Sequence, residues 1–254
     1  MILLHRATPF AIALCLAAGF FAVTSLKVHP VVGLGMALLA QWVLLSRLVG
    51  FKPRTFSYWY FVGTPSVFVL SSFGLYLFLE YPTERAVLAV LTSVLVFFFA
   101  EHLFNYVHIP ANYQAYGIEH LSLALNVLTM FFLGAVGFGL RLFLQLSLGV
   151  LSGGFFLMSA FVIYGTLWVS KVDHKKALPY ALAGAVLTTE LFSVVTFLPT
   201  GFYTNAALIA LFFYLFLGFT RAHFTEQLTR AVTQRYLAVS SILFAVIVGT
   251  ARWI

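Results

Sequence analysis

Few side chains in this sequence can do chemistry in an apolar setting, and they gather in two places. The stretch FFFAEHLFNYVHIPANYQAYGIEHLSLALN, from Phe97 to Asn126, carries Glu101-His102 and Glu119-His120 on either side of a polar turn. The stretch GAVLTTELFSVVTFLP carries Glu190 directly behind Thr188 and Thr189. An imidazole titrates near neutrality and can pass protons, while a carboxyl away from water either donates as an acid or needs a cation, a histidine or water beside it. Both groups also ligate divalent metals.

Helical spacing groups these residues further. Glu101, Asn105 and His108 stand at i, i+4 and i+7 and share one face; Glu119, Ser122 and Asn126 stand at i, i+3 and i+7 and share another. His102 points roughly 100° away from the first face. The short turn IPANYQAYG makes the two helices antiparallel neighbours, so their polar faces can meet. Three readings follow. Glu101 bonds Asn126 or His120 and locks the hairpin; the cluster handles protons or cations on a transport path; or His102, Glu101, His120 and Glu119 hold a metal or run acid–base chemistry. No H-E-x-x-H is present to favour the metal.

The elements that position these groups are membrane-spanning helices. The chain is 62% hydrophobic and only 8% charged, against about 25% charge in a soluble domain. Apolar runs of about 20 residues recur along it, each long enough to cross ~30 Å of hydrocarbon. AVLAVLTSVLVFFFA, residues 86–100, is apolar on every face, which rules out the alternation of a barrel strand and leaves the helix as the structure that satisfies its own backbone in lipid. The expected fold is an all-α polytopic bundle with nine spans, at 9–26, 30–49, 57–79, 85–107, 119–139, 142–169, 177–198, 203–222 and 232–252, forming one domain with no soluble part. Glycines in GAVGFGLRLF are expected to break the 119–169 stretch with a turn at Arg141, and Pro65 to lie inside the third span. The first run is read as an uncleaved span rather than a signal peptide.

Cations set the expected orientation. Arg6, Arg47, Lys52, Arg54, Lys171, Lys175, Lys176, Arg221, Arg230 and Arg235, ten in all, fall on the side of the N-terminus; Lys27, Arg85, Arg141 and Arg252, four, fall opposite. Positive residues stay cytoplasmic, so the N-terminus is expected inside. Tyr58-Trp59-Tyr60, Tyr113, Tyr116, Tyr180, Tyr203, Tyr236 and Trp253 are expected near the headgroups, and the pairs Gly149/Gly153, Ala13/Ala17 and Gly33/Ala37 at close helix contacts.

In that frame Glu101 lies roughly 9 Å to the inner side of mid-membrane, and Glu190 slightly to the outer side under the uncharged turn LPTGFYTNAAL. A charge in a span costs ~2.5 kcal/mol or more, so acids there are functional candidates. The other carboxylates, Glu80, Glu84, Asp173 and Glu226, sit in turns and loops.

Several chemistries lack their residues. No lysine is mid-span for a retinal Schiff base; the single Asp excludes aspartate-pair catalysis; Cys15 alone can form no intrachain disulfide and no cysteine metal site. The G-x-S-G of rhomboid-like proteases and the paired glutamates of CAAX-type proteases are absent. The favoured function is a transporter or permease-like protein in which Glu190, Glu101, His102, Asn105, His108, Glu119, His120 and Asn126 handle protons or substrate. The alternatives are an intramembrane enzyme acting on a lipid or lipid-linked substrate at the cytoplasmic face, and a structural subunit of a membrane complex. Expected partners are membrane lipids and a small molecule or ion, not nucleic acid, with homo- or hetero-oligomers left open. The expected setting is a bacterial inner membrane, and no cofactor is named.

Overall fold

The computed structural model describes residues 5–251 apart from 27 and 115, and leaves the side chain of Asn112 aside. Lys27, Arg252 and Trp253, which entered the charge and aromatic arguments, lie outside the described residues. The described chain contains nine long helices and no strand: α1 (Thr8–Thr24), α2 (Pro30–Val49), α3 (Phe56–Phe78), α4 (Pro82–His108), α5 (Gly117–Leu144), α6 (Leu148–Val169), α7 (His174–Val195), α8 (Phe202–Phe224) and α9 (Arg230–Thr250). Eight of them are long and apolar enough to cross a membrane, and α1 is a shorter apolar helix of 17 residues. This is a multi-pass, all-α membrane protein.

Hydroxyls inside the helices show how the backbone tolerates polar residues in oil. Ser66 donates to the Val62 carbonyl (2.7 Å), Ser72 to Phe68 (2.8 Å), Ser93 to Ala89 (2.8 Å) and Thr188 to Gly184 (2.6 Å). Each bond is folded back onto the preceding turn, so no neighbour is needed to satisfy it.

The chain divides into two compact units, Met1–Leu125 and Asn126–Ile254, with the boundary inside α5. In the first unit α1 packs against α2 and α4, and α3 against α2 and α4. Gly19 permits the closest of these approaches. A Cβ there would stand 2.5 Å from Ala37 Cβ and 3.2 Å from the Gly33 carbonyl, so Gly33 and Ala37 are the small-residue contact their spacing suggested. Gly149 and Gly153 are not; a Cβ on either meets nothing within 4 Å.

The second unit is centred on three stacked rings. Phe192 of α7 lies between Phe138 of α5 (4.7 Å, 22°) and Phe155 of α6 (4.6 Å, 16°), and all three are buried. Aromatic pairs contribute ~0.5–1.5 kcal/mol beyond the area they bury.

One expectation about elements needs correction. The glycines of residues 134–139 do not turn the chain: α5 runs through them to Leu144, and the break comes at Gln145, with φ +54°. The glycines serve packing instead. A Cβ on Gly134 would stand 3.3 Å from the Ala206 backbone, and one on Gly137 would stand 2.9 Å from the Phe192 ring. Of Tyr58-Trp59-Tyr60, only Trp59 is exposed; Tyr58 and Tyr60 are core residues, Tyr58 paired with Ser46 at 2.7 Å. Pro65 does lie inside α3.

Candidate functional site

The residues of the α4–α5 hairpin take separate partners. α4 ends at His108, a single 3-10 turn follows at Pro110–Asn112, and α5 starts at Gly117. The Tyr113 hydroxyl donates to Glu119 Oε2 (3.0 Å) and accepts the Ile118 N–H (3.2 Å), which ties the turn to the first residues of α5. His108 places Nε2 3.1 Å from the Leu48 carbonyl and stacks on His5 (4.6 Å, 19°). His102 packs against Gly117, where a Cβ would come within 2.9 Å of its Nδ1. His120 is exposed, with its ring 6.5 Å from that of Tyr116. Glu101 and Asn105 are half-buried.

Asn126 belongs to a different set. Its Nδ2 donates to Thr166 Oγ1 on α6 at 2.7 Å, and that hydroxyl donates to the Val162 carbonyl at 2.8 Å. Both side chains are buried, so this polar chain fixes α5 to α6 within the second unit. Among the described residues no three His, Cys, Asp or Glu side chains converge as a metal site would need.

Glu190 lies on an outward stripe of α7. Val186, Leu187 and Val194 share its exposed face, while Thr188 and Phe192 point inward. The helix ends at Val195 rather than 198, which leaves Glu190 five residues, ~7.5 Å of rise, from its end. Its carboxylate is thus closer to the helix terminus than the sequence suggested, and it does not line the hollow beneath the 196–205 turn.

That hollow exists, and other residues build it. A cavity of about 440 Å³ is lined by Phe138, Arg141, Gln145, Thr196, Thr200 and Asn205, among others, and no carboxylate faces it. Arg141, in the last turn of α5, uses one N–H on the Leu146 carbonyl (3.1 Å). Asn205, 4% exposed, accepts from the Thr200 hydroxyl through Oδ1, which turns its Nδ2 donors to other use. Phe202, the first residue of α8, is also in the wall, and Gly201 at the N-cap brings no side chain to cover the free N–H groups of that turn. A guanidinium, an amide and the first residue of a helix therefore border one open cavity, an arrangement suited to an anion.

Sequence reasoning passed over these residues. It took Arg141 for a turn residue that prefers water and Asn205 for part of an uncharged cap; the available signal was a cation inside an otherwise uninterrupted apolar run. It also passed over Gln41, fully buried on α2 with neither amide atom hydrogen-bonded among the described residues.

Helices of this length and apolarity, with a cation-bearing pocket between three of them, define a polytopic membrane protein. Residues 24–250 match the family model described as "Protein of unknown function (DUF5656)", and the chain belongs to that family. No curated protein and no solved structure matches it.

Proposed function

We propose that this protein is a transporter or permease-like protein whose substrate is a small anion, bound in the cavity between the ends of α5, α7 and α8. One observation carries the reading: Arg141 borders a cavity that it shares with the Gln145 and Asn205 amides and with no carboxylate to neutralise it. An arginine in the last turn of a span can reach the interface at little cost, so what singles Arg141 out is its sharing a cavity with amides and no carboxylate. Glu190 and the hairpin groups Glu101, His102, Asn105, His108, Glu119 and His120 are the proposed proton-handling residues of the same cycle. Glu101 comes first among them because it is half-buried inside α4.

The test is anion uptake into proteoliposomes, together with the rise in unfolding temperature that small anions confer on the purified protein. A bound anion stabilises in proportion to the logarithm of its concentration over Kd. Arg141→Gln removes a charge-assisted contact of ~1.5–3 kcal/mol, which is a loss of affinity of about tenfold or more; Asn205→Ala weakens binding less. Uptake and thermal shift should fall together. Turnover of an added lipid-linked substrate without accumulation inside the vesicle would favour the enzymatic reading, and anion-blind behaviour of the wild type would end the transport reading.

A further inference from the structure

The first unit carries a second cationic hollow, independent of the anion pocket. α1 ends, α2 begins, α3 ends and α4 begins at one end of this unit, and there two cavities of about 470 and 440 Å³ share Tyr76 and Arg85 in their walls. The larger runs between α1 and α4, where Ala17, Ala86 and Ala89 leave the two helices unfilled. From Arg85 to Val94 it follows α4 for nine residues, ~13.5 Å of rise, close to half of a ~30 Å hydrocarbon core. It is thus as deep as one leaflet. Phe21, Val90 and Val94 in its wall are exposed, so it opens sideways to the acyl chains.

Its upper end is built differently. Arg85 spends its Nε–H on the Leu79 carbonyl (2.9 Å) and lies 5.5 Å from the centre of the Tyr76 ring. Among the described residues the remaining guanidinium donors have no hydrogen-bond partner. Tyr76 is 2% exposed, and its buried hydroxyl has no hydrogen-bond partner among the described residues. A phenol enclosed in this way is a missing contact waiting for an acceptor. His29 lines the same end, and no carboxylate lines either cavity.

We infer that this hollow binds an anionic amphiphile, its acyl chain in the groove between α1 and α4 and its acidic head on Arg85 and the Tyr76 hydroxyl. A fatty carboxylate and the phosphate of an anionic phospholipid present the same chemistry: an acceptor-only anion on a chain one leaflet long. An uncharged lipid would fill the groove but leave the guanidinium without a counter-charge.

The experiment uses the full chain in phosphatidylcholine nanodiscs with three photoreactive probes, a diazirine palmitate, a diazirine phosphatidylglycerol and a diazirine phosphatidylcholine. Labelled peptides are mapped by mass spectrometry. The anionic probes should label residues 17–21 and 86–94 about tenfold more than the phosphatidylcholine probe, the ratio of one charge-assisted hydrogen bond. Arg85→Gln should bring them to the phosphatidylcholine level, Arg85→Lys should restore part of the excess, and Tyr76→Phe should lower it about fivefold by removal of one neutral bond. The stronger of the two anionic probes identifies the source. Equal labelling by all three probes, or wild-type labelling in both Arg85→Gln and Tyr76→Phe, would overturn the proposal. Tyr76→Phe removes a single oxygen and keeps the fold, so it decides the matter if the arginine variants do not fold.

Discussion

Tyr113 ties down the turn between α4 and α5 with one oxygen, which donates to Glu119 and accepts from the Ile118 backbone. Burial, and then the neighbouring Glu119 carboxylate, push its phenol above the ordinary value of 10.0, against an opposite pull from the Ile118 N–H. The native state therefore favours the protonated phenol. Its contribution to stability is whole below pH 10 and is lost as pH rises through the raised native value. Tyr113→Phe should lower stability at neutral pH by about 1 kcal/mol and reduce the alkaline loss of thermal stability above about pH 10 in detergent, whereas an unchanged alkaline loss would show that the turn does not depend on this oxygen. The place of Glu119 in the first turn of a helix was legible in the sequence, because a carboxylate opening an apolar run is conspicuous. Its partner was not, because Tyr113 reaches it only through the 3-10 turn at Pro110–Asn112, a geometry that helical spacing does not encode. The same holds for His108, whose ring partner His5 lies at the other end of the unit's sequence. Arg141 and Asn205 were not grouped for a related reason: their place on one cavity depends on where α5 stops, and the glycines argued for an earlier stop.

Helix existence was legible almost throughout, since unbroken apolarity over ~20 residues has few other solutions. Which face of each helix meets another was not, because a residue that packs on protein and one that packs on lipid are equally apolar. Glycines show this well. A methyl group added at Gly19 would stand 2.5 Å from the Cβ of Ala37, whereas at Gly149 the space is open. Gly19→Ala should therefore force α1 and α2 apart and cost ~1–3 kcal/mol, enough to lower the melting temperature of the detergent-solubilised protein by several degrees. Gly149→Ala adds a methyl group to open surface on a helix and should be neutral or stabilising by up to ~1 kcal/mol. The difference between the two variants separates contact from propensity: equal effects would mean that the α1–α2 approach is not close.

Over the whole molecule the open quantity is the number of crossings, and it turns on α1. With 17 residues this helix is the shortest of the nine, yet it reaches ~25 Å, which lies at the lower limit for a span. Its contacts show that it runs the length of its neighbours. Gly19 faces Ala37, Gly33 faces Val23, and Phe10 packs on Phe97 at 4.8 Å, so residues ascending α1 meet residues descending α2 and α4. A helix antiparallel to two spanning helices along its whole length crosses where they cross. Nine crossings put the α1–α2, α3–α4, α5–α6 and α7–α8 turns on one face of the membrane and the four intervening turns on the other, with the larger share of Lys and Arg on the latter. In a Cys15→Ala background, single cysteines at Ser25, Tyr81 and Thr200 should react with a membrane-impermeant maleimide applied outside intact cells, and cysteines at Arg54, Asp173 and Gln227 only after the membrane is opened. Reaction of Ser25 and Arg54 from the same side would show that α2 does not cross. Reaction of the second set alone from outside would leave the nine crossings standing and invert the orientation that the cations imply, moving both arginine-bearing pockets to the cytoplasmic face.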